Sequence, residues 1–374
     1  MLLTVLKWLT LAVCAFCVAG TLASLSRSAR WWVRVWDFPR LQIAAVAGVS
    51  GALYGVFFHH GGWPGGALLA AAAACVVWQI SKVFPYTPIA PEQVQRSTTA
   101  RPREPGAQQS TFRLLISNVL MENTRHELLL ARVREADPDV VLAVETDDAW
   151  ARALEPLARD YPHVVRHPRD NWYGLMLFSR LPLVDPRVEF LVQDDIPSVH
   201  TGVRLGSGDV IHLHGLHPRP PEPIRDQDST PRDAELVLVG KSVGKTPDRP
   251  TVVAGDLNDV AWSPTSEQFM RLSRLLDPRR GRGLFNSYNA KNPFFRYPLD
   301  HVFHSNHFRL VELRRLDSIG SDHFPMLVEL SYEPRAAPQQ PTPRPDREDY
   351  VEAEEKLEEQ AAAARTGDDR PRGE

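Results

Sequence analysis

The stretch Val252-Val253-Ala254-Gly255-Asp256-Leu257-Asn258-Asp259 decides how the rest of the chain is read. A short apolar run that ends in Gly and then in polar residues reads as a buried strand, with Asp256 and Asn258 delivered at its C-terminal end. Strand alternation puts those two side chains on one face. A carboxylate beside a carboxamide can hold a water, a divalent cation or a phosphate oxygen, because Asp only accepts hydrogen bonds while Asn both donates and accepts. A strand running into an Asx-rich turn would carry the same letters. The residues on either side separate the two readings.

Outward from this strand the same pattern recurs. Residues 112–119 form an apolar strand ending near Asn118, 140–145 one ending in Glu145, and 210–217 one ending in His217. Further strands fall at 175–180, 252–254, 299–304 and 326–330, with Asp300 at the start of one and Ser321-Asp322-His323-Phe324-Pro325 leading into the last. Thr124-Arg125-His126-Glu127 offers a capping box for a helix stopped by Asp137-Pro138, and Thr230-Pro231-Arg232-Asp233 starts another with Pro at its first position. Strands interleaved with helices make a layered α/β architecture. Each polar strand end has a bland explanation on its own: a solvated terminus for Glu145, a turn-adjacent ion pair for Asp300-His301, a turn cap for Asp322-His323. Seven such coincidences in order are not bland together.

These residues, in this order, resemble the endonuclease/exonuclease/phosphatase superfamily, which includes deoxyribonuclease-I-like nucleases, abasic-site endonucleases, sphingomyelinases and inositol-phosphate phosphatases. The resemblance spans about residues 112–333. Its specific parts are Gly255-Asp256-Leu257-Asn258, Asp300-His301 and Ser321-Asp322-His323-Phe324-Pro325. It implies a four-layered α/β sandwich, two packed mixed sheets flanked by helices, and hydrolysis of phosphoesters assisted by Mg²⁺, with Mn²⁺ as a substitute.

Such hydrolysis needs an activated water in line with the leaving oxygen, and neutralisation of charge around the phosphoryl group. A hard cation held by few carboxylates suits that task. By resemblance, Glu145 is the principal metal ligand, with Asn118 beside it and Asp322 near a second metal position. His323 activates water or stabilises developing charge, and Asp300 orients it. Asp256 and Asn258 position the nucleophile and hold the phosphate, while His217 binds phosphate or acts as an acid.

Substrate-facing residues are less specific. Thr146-Asp147-Asp148 follows Glu145, where two acids would repel a polyanion. Against that, His217-Pro218-Arg219-Pro220-Pro221 and the nearby Arg225 carry two guanidiniums able to take a phosphate bidentately, although a solvated loop would look the same. Tyr173, just before a strand, would shape the pocket floor. His212 and His214 read as structural.

Upstream, three apolar stretches at 2–25, 41–58 and 67–84 are each near the ~20 residues that cross a bilayer. The middle one carries Gly51-Ala52-Leu53-Tyr54-Gly55, the small-residue spacing that lets helices approach in lipid. Arg27, Arg30, Arg34 and Arg40 lie between the first two stretches, and 59–66 has no Lys or Arg. The positive-inside rule then places the first loop, and everything after the third span, in the cytosol. A signal peptide cleaved near Ser24 is the competing reading, and it would reverse that placement.

The expected organisation is therefore a three-span anchor at 1–86, a flexible linker at 87–110, a catalytic domain at 111–334 and a disordered Pro-rich and acidic tail at 335–374. The formal net charge of −3 gives no global basic field for a nucleic-acid polymer. Cys14, Cys17 and Cys75 all lie in the anchor, which leaves no disulfide framework elsewhere. The chain reads as a multi-pass protein of a bacterial inner membrane, with the bilayer and a phosphoester (nucleic acid, or lipid or inositol phosphate) as partners and no obligate protein partner. A non-catalytic membrane scaffold that keeps the fold is the alternative.

Overall fold

In the computed structural model, which describes residues 1–98, 110–221 and 228–366, two mixed β-sheets pack face to face with helices outside both. The first sheet runs β10-β11-β1-β2-β4-β3, from β1 (Thr111–Asn118), β2 (Val140–Val144), β3 (His163–His167), β4 (Leu175–Ser179), β10 (Phe308–Arg315) and β11 (Met326–Tyr332). The second runs β5-β6-β7-β8-β9, from β5 (Leu183–Glu189), β6 (Ser198–Arg204), β7 (Val210–Gly215), β8 (Thr251–Asp256) and β9 (Asp300–His304). Only β1–β2 and β7–β8 pair in parallel; the other neighbours are antiparallel.

Period-2 alternation explains the layering. Leu114, Ile116, Leu142, Leu213, Val252, Ala254 and Val302 point between the sheets and form one buried cluster. Leu115, Val141 and Ala143 point the other way, against α5 (His126–Ala136) and α6 (Asp148–Leu154). Val253 and Phe303 likewise meet α7 (Thr230–Gly244) and α8 (Pro264–Ser273). This is the four-layered sandwich that the family resemblance implies, and it agrees with the layered α/β architecture read from the strand pattern.

The expected capping box is not formed. The helix begins at His126 with no side-chain cap, and Asn123 Oδ1 instead accepts from the Arg125 amide, because the turn before the helix is closed by Asn123 rather than Thr124. The Asp147-Asp148 pair also has a local explanation: Asp147 Oδ1 accepts the Trp150 amide at 2.8 Å and caps α6.

Upstream, α1 (Leu2–Ser24), α3 (Arg40–Phe57) and α4 (Trp63–Val83) are long and apolar enough to cross a membrane, and the short α2 (Trp31–Arg34) lies between the first two. Gly51 and Gly55 face α4, where Ala72 and Leu69 would each be 3.5 Å from an added Cβ. Thr21, Gln79 and Arg40 share buried hydrogen bonds across all three helices.

The described parts of the expected flexible linker and of the expected disordered tail dock on the domain. Of 87–110, Val94 is buried in the inter-sheet core and Ser97 donates to the Leu310 carbonyl at 2.8 Å; residues 99–109 lie outside the described part. An apolar residue in a polar stretch was enough to dock it. Of 335–374, α9 (Arg347–Thr366) packs on α7 and α8 through Ala353 and Leu357, and Arg271 bonds Asp349 at 2.7 Å. The charged helix is thus neither solvated nor alone, because its Ala-rich face finds a partner.

Candidate active site

The crevice opens where the C-terminal ends of β1, β2 and β8 meet the start of β9. Asn118, Asp256 and Asp300 all follow the inward parity of their strands, two residues from Ile116, Ala254 and Val302. Register completes the grouping, since Asp256 sits opposite Asp300 across the β8–β9 pair. His217 continues the inward set of β7 beyond Leu213 and Gly215. Glu145 does not follow parity. It comes directly after the inward Val144, and a left-handed backbone (φ 62°) turns its carboxylate into the crevice. Gly255, at φ 143°, has no room for a Cβ, which would lie 1.9 Å from the Leu216 carbonyl oxygen.

Asn118 Nδ2 donates to Glu145 Oε1 at 2.6 Å and to Asp256 Oδ2 at 2.9 Å, bridging the two carboxylates. Its oxygen is turned to the Leu120 amide at 3.0 Å, so Asn118 orders Glu145 rather than offering a ligand oxygen beside it. Asp256 Oδ1 accepts the Asn258 amide at 2.9 Å, and Asn258 Nδ2 donates to the Pro218 carbonyl at 3.0 Å. His323 Nδ1 bonds Asp300 Oδ2 at 2.7 Å, and its Nε2 lies 3.5 Å from Asp256 Oδ2. His217 Nε2 is 3.9 Å from both Glu145 Oε1 and Asp256 Oδ2.

The electrostatics follow from burial. Burial pushes the Glu145 carboxyl up to about 8 against the pull of the Asn118 bond. It raises Asp256 to about 6, opposed by the charge of His323. Burial disfavours charge on His323 too, but Asp256 and Asp300 outweigh it and lift the imidazole to about 10. His217 has no such support: burial and the neighbouring His323 charge lower it to about 3. Its Nδ1 has no hydrogen-bond partner among the described residues.

A cleft of about 300 Å³ lies over this floor, lined by Glu145, His217, Asn258, Trp172, Tyr173, Asp195 and Arg219 among others. Arg219 is not a free phosphate clamp. It is ion-paired to Asp195, donates to Gln193 Oε1 at 3.1 Å and stacks 4.8 Å from the Tyr173 ring centre. Tyr173 also faces His217, rings 5.5 Å apart, and lines the cleft. Arg225 lies outside the described residues. His214 bonds His200 at 2.6 Å on β6.

Asp322 makes no hydrogen bond to Glu145 or Asn118 among the described residues; its carbonyl accepts the Ala290 amide at 2.7 Å. The tightest grouping of possible metal-binding atoms is instead Asp256, Asp300 and His323. In that group Asp300 Oδ2 is taken by His323 Nδ1, while Asp300 Oδ1 has no hydrogen-bond partner among the described residues. Glu145 offers a second seat: a half-buried oxygen donor facing the cleft, with the buried Asp256 carboxylate across the Asn118 amide. That arrangement fits a hard divalent cation. Sequence reasoning missed Trp172 and Asp195 in the cleft wall, and Tyr288, whose ring lies 5.0 Å from His323. Tyr288 sits in an irregular loop with no periodic signal.

The chain belongs to the endonuclease/exonuclease/phosphatase family, whose model matches residues 115–323. Members of this family are divalent-metal-dependent hydrolases of phosphoester bonds. Several solved structures are similar to part of the chain. An endonuclease/exonuclease/phosphatase from Beutenbergia cavernae DSM 12333 is 18% identical, over 60% of this chain and 72% of that one, with a TM-score of 0.48. The human Nocturnin catalytic domain with bound sulfate is 17% identical, over 60% and 95%, with a TM-score of 0.47. D. rerio TDP2 complexed with single-strand DNA product is 17% identical, over 59% and 99%, with a TM-score of 0.46. No curated protein matches the chain.

Proposed function

We propose that this protein is a membrane-tethered, Mg²⁺-dependent hydrolase of lipid phosphoesters. The observation that carries the reading is the convergence on Asp256 Oδ2 of Asn118, His323 and His217, at 2.9, 3.5 and 3.9 Å, on the floor of a cleft beside Glu145.

Glu145, facing the cleft, would hold the cation, which would supply charge neutralisation on the phosphoryl oxygens. Asp256 accepts the proton of the attacking water, a role that suits a carboxyl raised to about 6 and pinned by Asn118 and the Asn258 amide. His323, held charged by Asp256 and Asp300, stabilises the negative charge that develops on phosphorus-bound oxygen and does not act as the base. His217, neutral, donates one hydrogen bond from Nε2 to the phosphoester. The Tyr173–Arg219–Asp195 wall orients the group attached to the phosphate.

A lipid substrate is favoured because loops beside the crevice are tied to the ends of the apolar helices. Beyond Arg219 and Pro220, Asp228 Oδ1 accepts the Trp31 amide at 2.9 Å and the Ser229 amide donates to the Ala29 carbonyl at 2.9 Å. Those bonds tie residues 228–229 to the loop between α1 and α2 and to the start of α2, at one end of the three apolar helices.

The test uses the full chain in detergent micelles, with Mg²⁺ or EDTA, against phospholipids, phosphoinositides, supercoiled plasmid and a generic phosphodiester, with Asp256→Asn as the control. Lipid hydrolysis abolished by EDTA, restored by Mg²⁺ and lost in Asp256→Asn is the expected result. Cleavage of plasmid alone would make it a tethered nuclease, and no hydrolysis of any ester would leave the scaffold reading standing.

A further inference from the structure

The loop over residues 284–299, which leads into β9, exposes two adjacent aromatic rings. Phe294 is 80% and Phe295 53% accessible. Exposed aromatic pairs of this kind mark contact surfaces on soluble proteins, and in membrane proteins aromatic residues concentrate at the headgroup level.

The position of the loop says which surface. The Phe294 carbonyl accepts from Gln42 Nε2 at 2.8 Å, and Gln42 lies in the first turn of α3. Tyr297, at the other end of the loop, packs edge-on against Phe38 just before that helix, rings 5.5 Å apart. The same ends of the helix bundle carry further exposed apolar side chains: Leu25 at 50%, Trp32 at 48%, Phe84 at 41% and Ile89 at 81%. The charge of the loop agrees, since residues 284–299 include Lys291 and Arg296 and no acid. Cations beside inserted aromatic rings suit an anionic leaflet.

We propose that Phe294 and Phe295 insert into the headgroup layer of the bilayer that α1, α3 and α4 cross, and so fix the crevice against the lipid surface. This rests on the reading that those three helices span the membrane. The loop also reaches the catalytic residues. The Ala290 amide donates to the Asp322 carbonyl at 2.7 Å, and the Tyr288 ring lies 5.0 Å from His323. Seating the two rings therefore positions the turn that carries Asp322 and His323.

The experiment places nitroxide labels on the full chain in nanodiscs of phosphatidylcholine and phosphatidylglycerol. Single substitutions Phe294→Cys, Phe295→Cys, Val49→Cys and Glu155→Cys are compared by relaxation with oxygen, which partitions into lipid, and with a water-soluble nickel chelate. The labelled side chains are exposed, so the labels disturb no packing, and the native cysteines are buried. The expected result is loss of nickel-chelate collisions at Phe294, Phe295 and Val49, with Glu155 fully accessible. Water-like labels at Phe294 and Phe295 with a lipid-protected Val49 would overturn the insertion and leave the spanning intact. Water-like labels at Val49 as well would overturn the spanning, and the insertion with it.

Discussion

Two histidines approach the same oxygen of Asp256, and their surroundings make them chemically different. His323 has a carboxylate on its far nitrogen at 2.7 Å and carries a proton up to about 10. His217 has an aromatic ring beside it, no partner for Nδ1 among the described residues, and loses its proton by about 3. Burial opposes charge on both. The difference lies in whether a second carboxylate, Asp300, stands behind the ring, and it assigns one histidine to charge stabilisation and the other to neutral donation.

Removing Asp300 should break this contrast most severely. Asp300→Asn removes the hydrogen bond that orients His323 and one of the two carboxylates that raise it, and steady-state kinetics should show kcat lower by roughly 10³–10⁴-fold with KM little changed, as when a histidine loses its orienting carboxylate in other hydrolases. A loss within tenfold would mean the charge on His323 is not used. His217→Gln keeps a neutral donor in place of another, and kcat should fall by only about 10–100-fold. An equal loss in both variants would erase the distinction.

Tyr173→Leu tests the wall instead of the floor. It removes the ring between Arg219 and His217, and KM should rise by about threefold to thirtyfold while kcat holds, in line with the loss of one cation–π contact. The smallest effect belongs to Glu235 on α7, a buried acid outside the cleft whose Oε1 has no partner among the described residues. Burial raises its carboxyl to about 8, above its unfolded value of 4.5. Its contribution to stability is therefore fully present below about pH 4.5 and lost as pH rises through 8. Glu235→Gln should flatten that decline, and thermal melts at pH 5 and pH 9 should separate the two chains by about 2–4 °C for each kcal/mol involved.

Much of this site could be read from the sequence because its residues sit at the ends of apolar strands, where alternation and glycine give a local signal. Asp256, Asn118 and Asp300 obey that signal. Glu145 was legible by its place after Val140–Val144, but the backbone turn that brings it inward was not. Four strands escaped notice for physical reasons. β5 contains Pro186, β6 carries His200 and Gly202, β3 is a short edge strand, and β10 alternates apolar with charged residues after a bulge between Leu310 and Glu312. The neutralisation of Arg219 was illegible too, because Asp195 lies 24 residues away and meets it only through tertiary packing. The docking of Val94 and of α9 likewise depends on surfaces that exist only once the sandwich is built.

The central place of β1 also sets a constraint on how the chain is made. β1 has β2 on one side and β11 on the other. At about 5–20 residues per second on the ribosome, β11 follows β1 by on the order of tens of seconds. Throughout that interval an apolar strand, buried on both faces in the finished protein, has one open edge, the geometry that templates aggregation. A nascent chain stalled before Met326 would leave this edge unpaired, so β11 closes the strand most exposed to aggregation during synthesis.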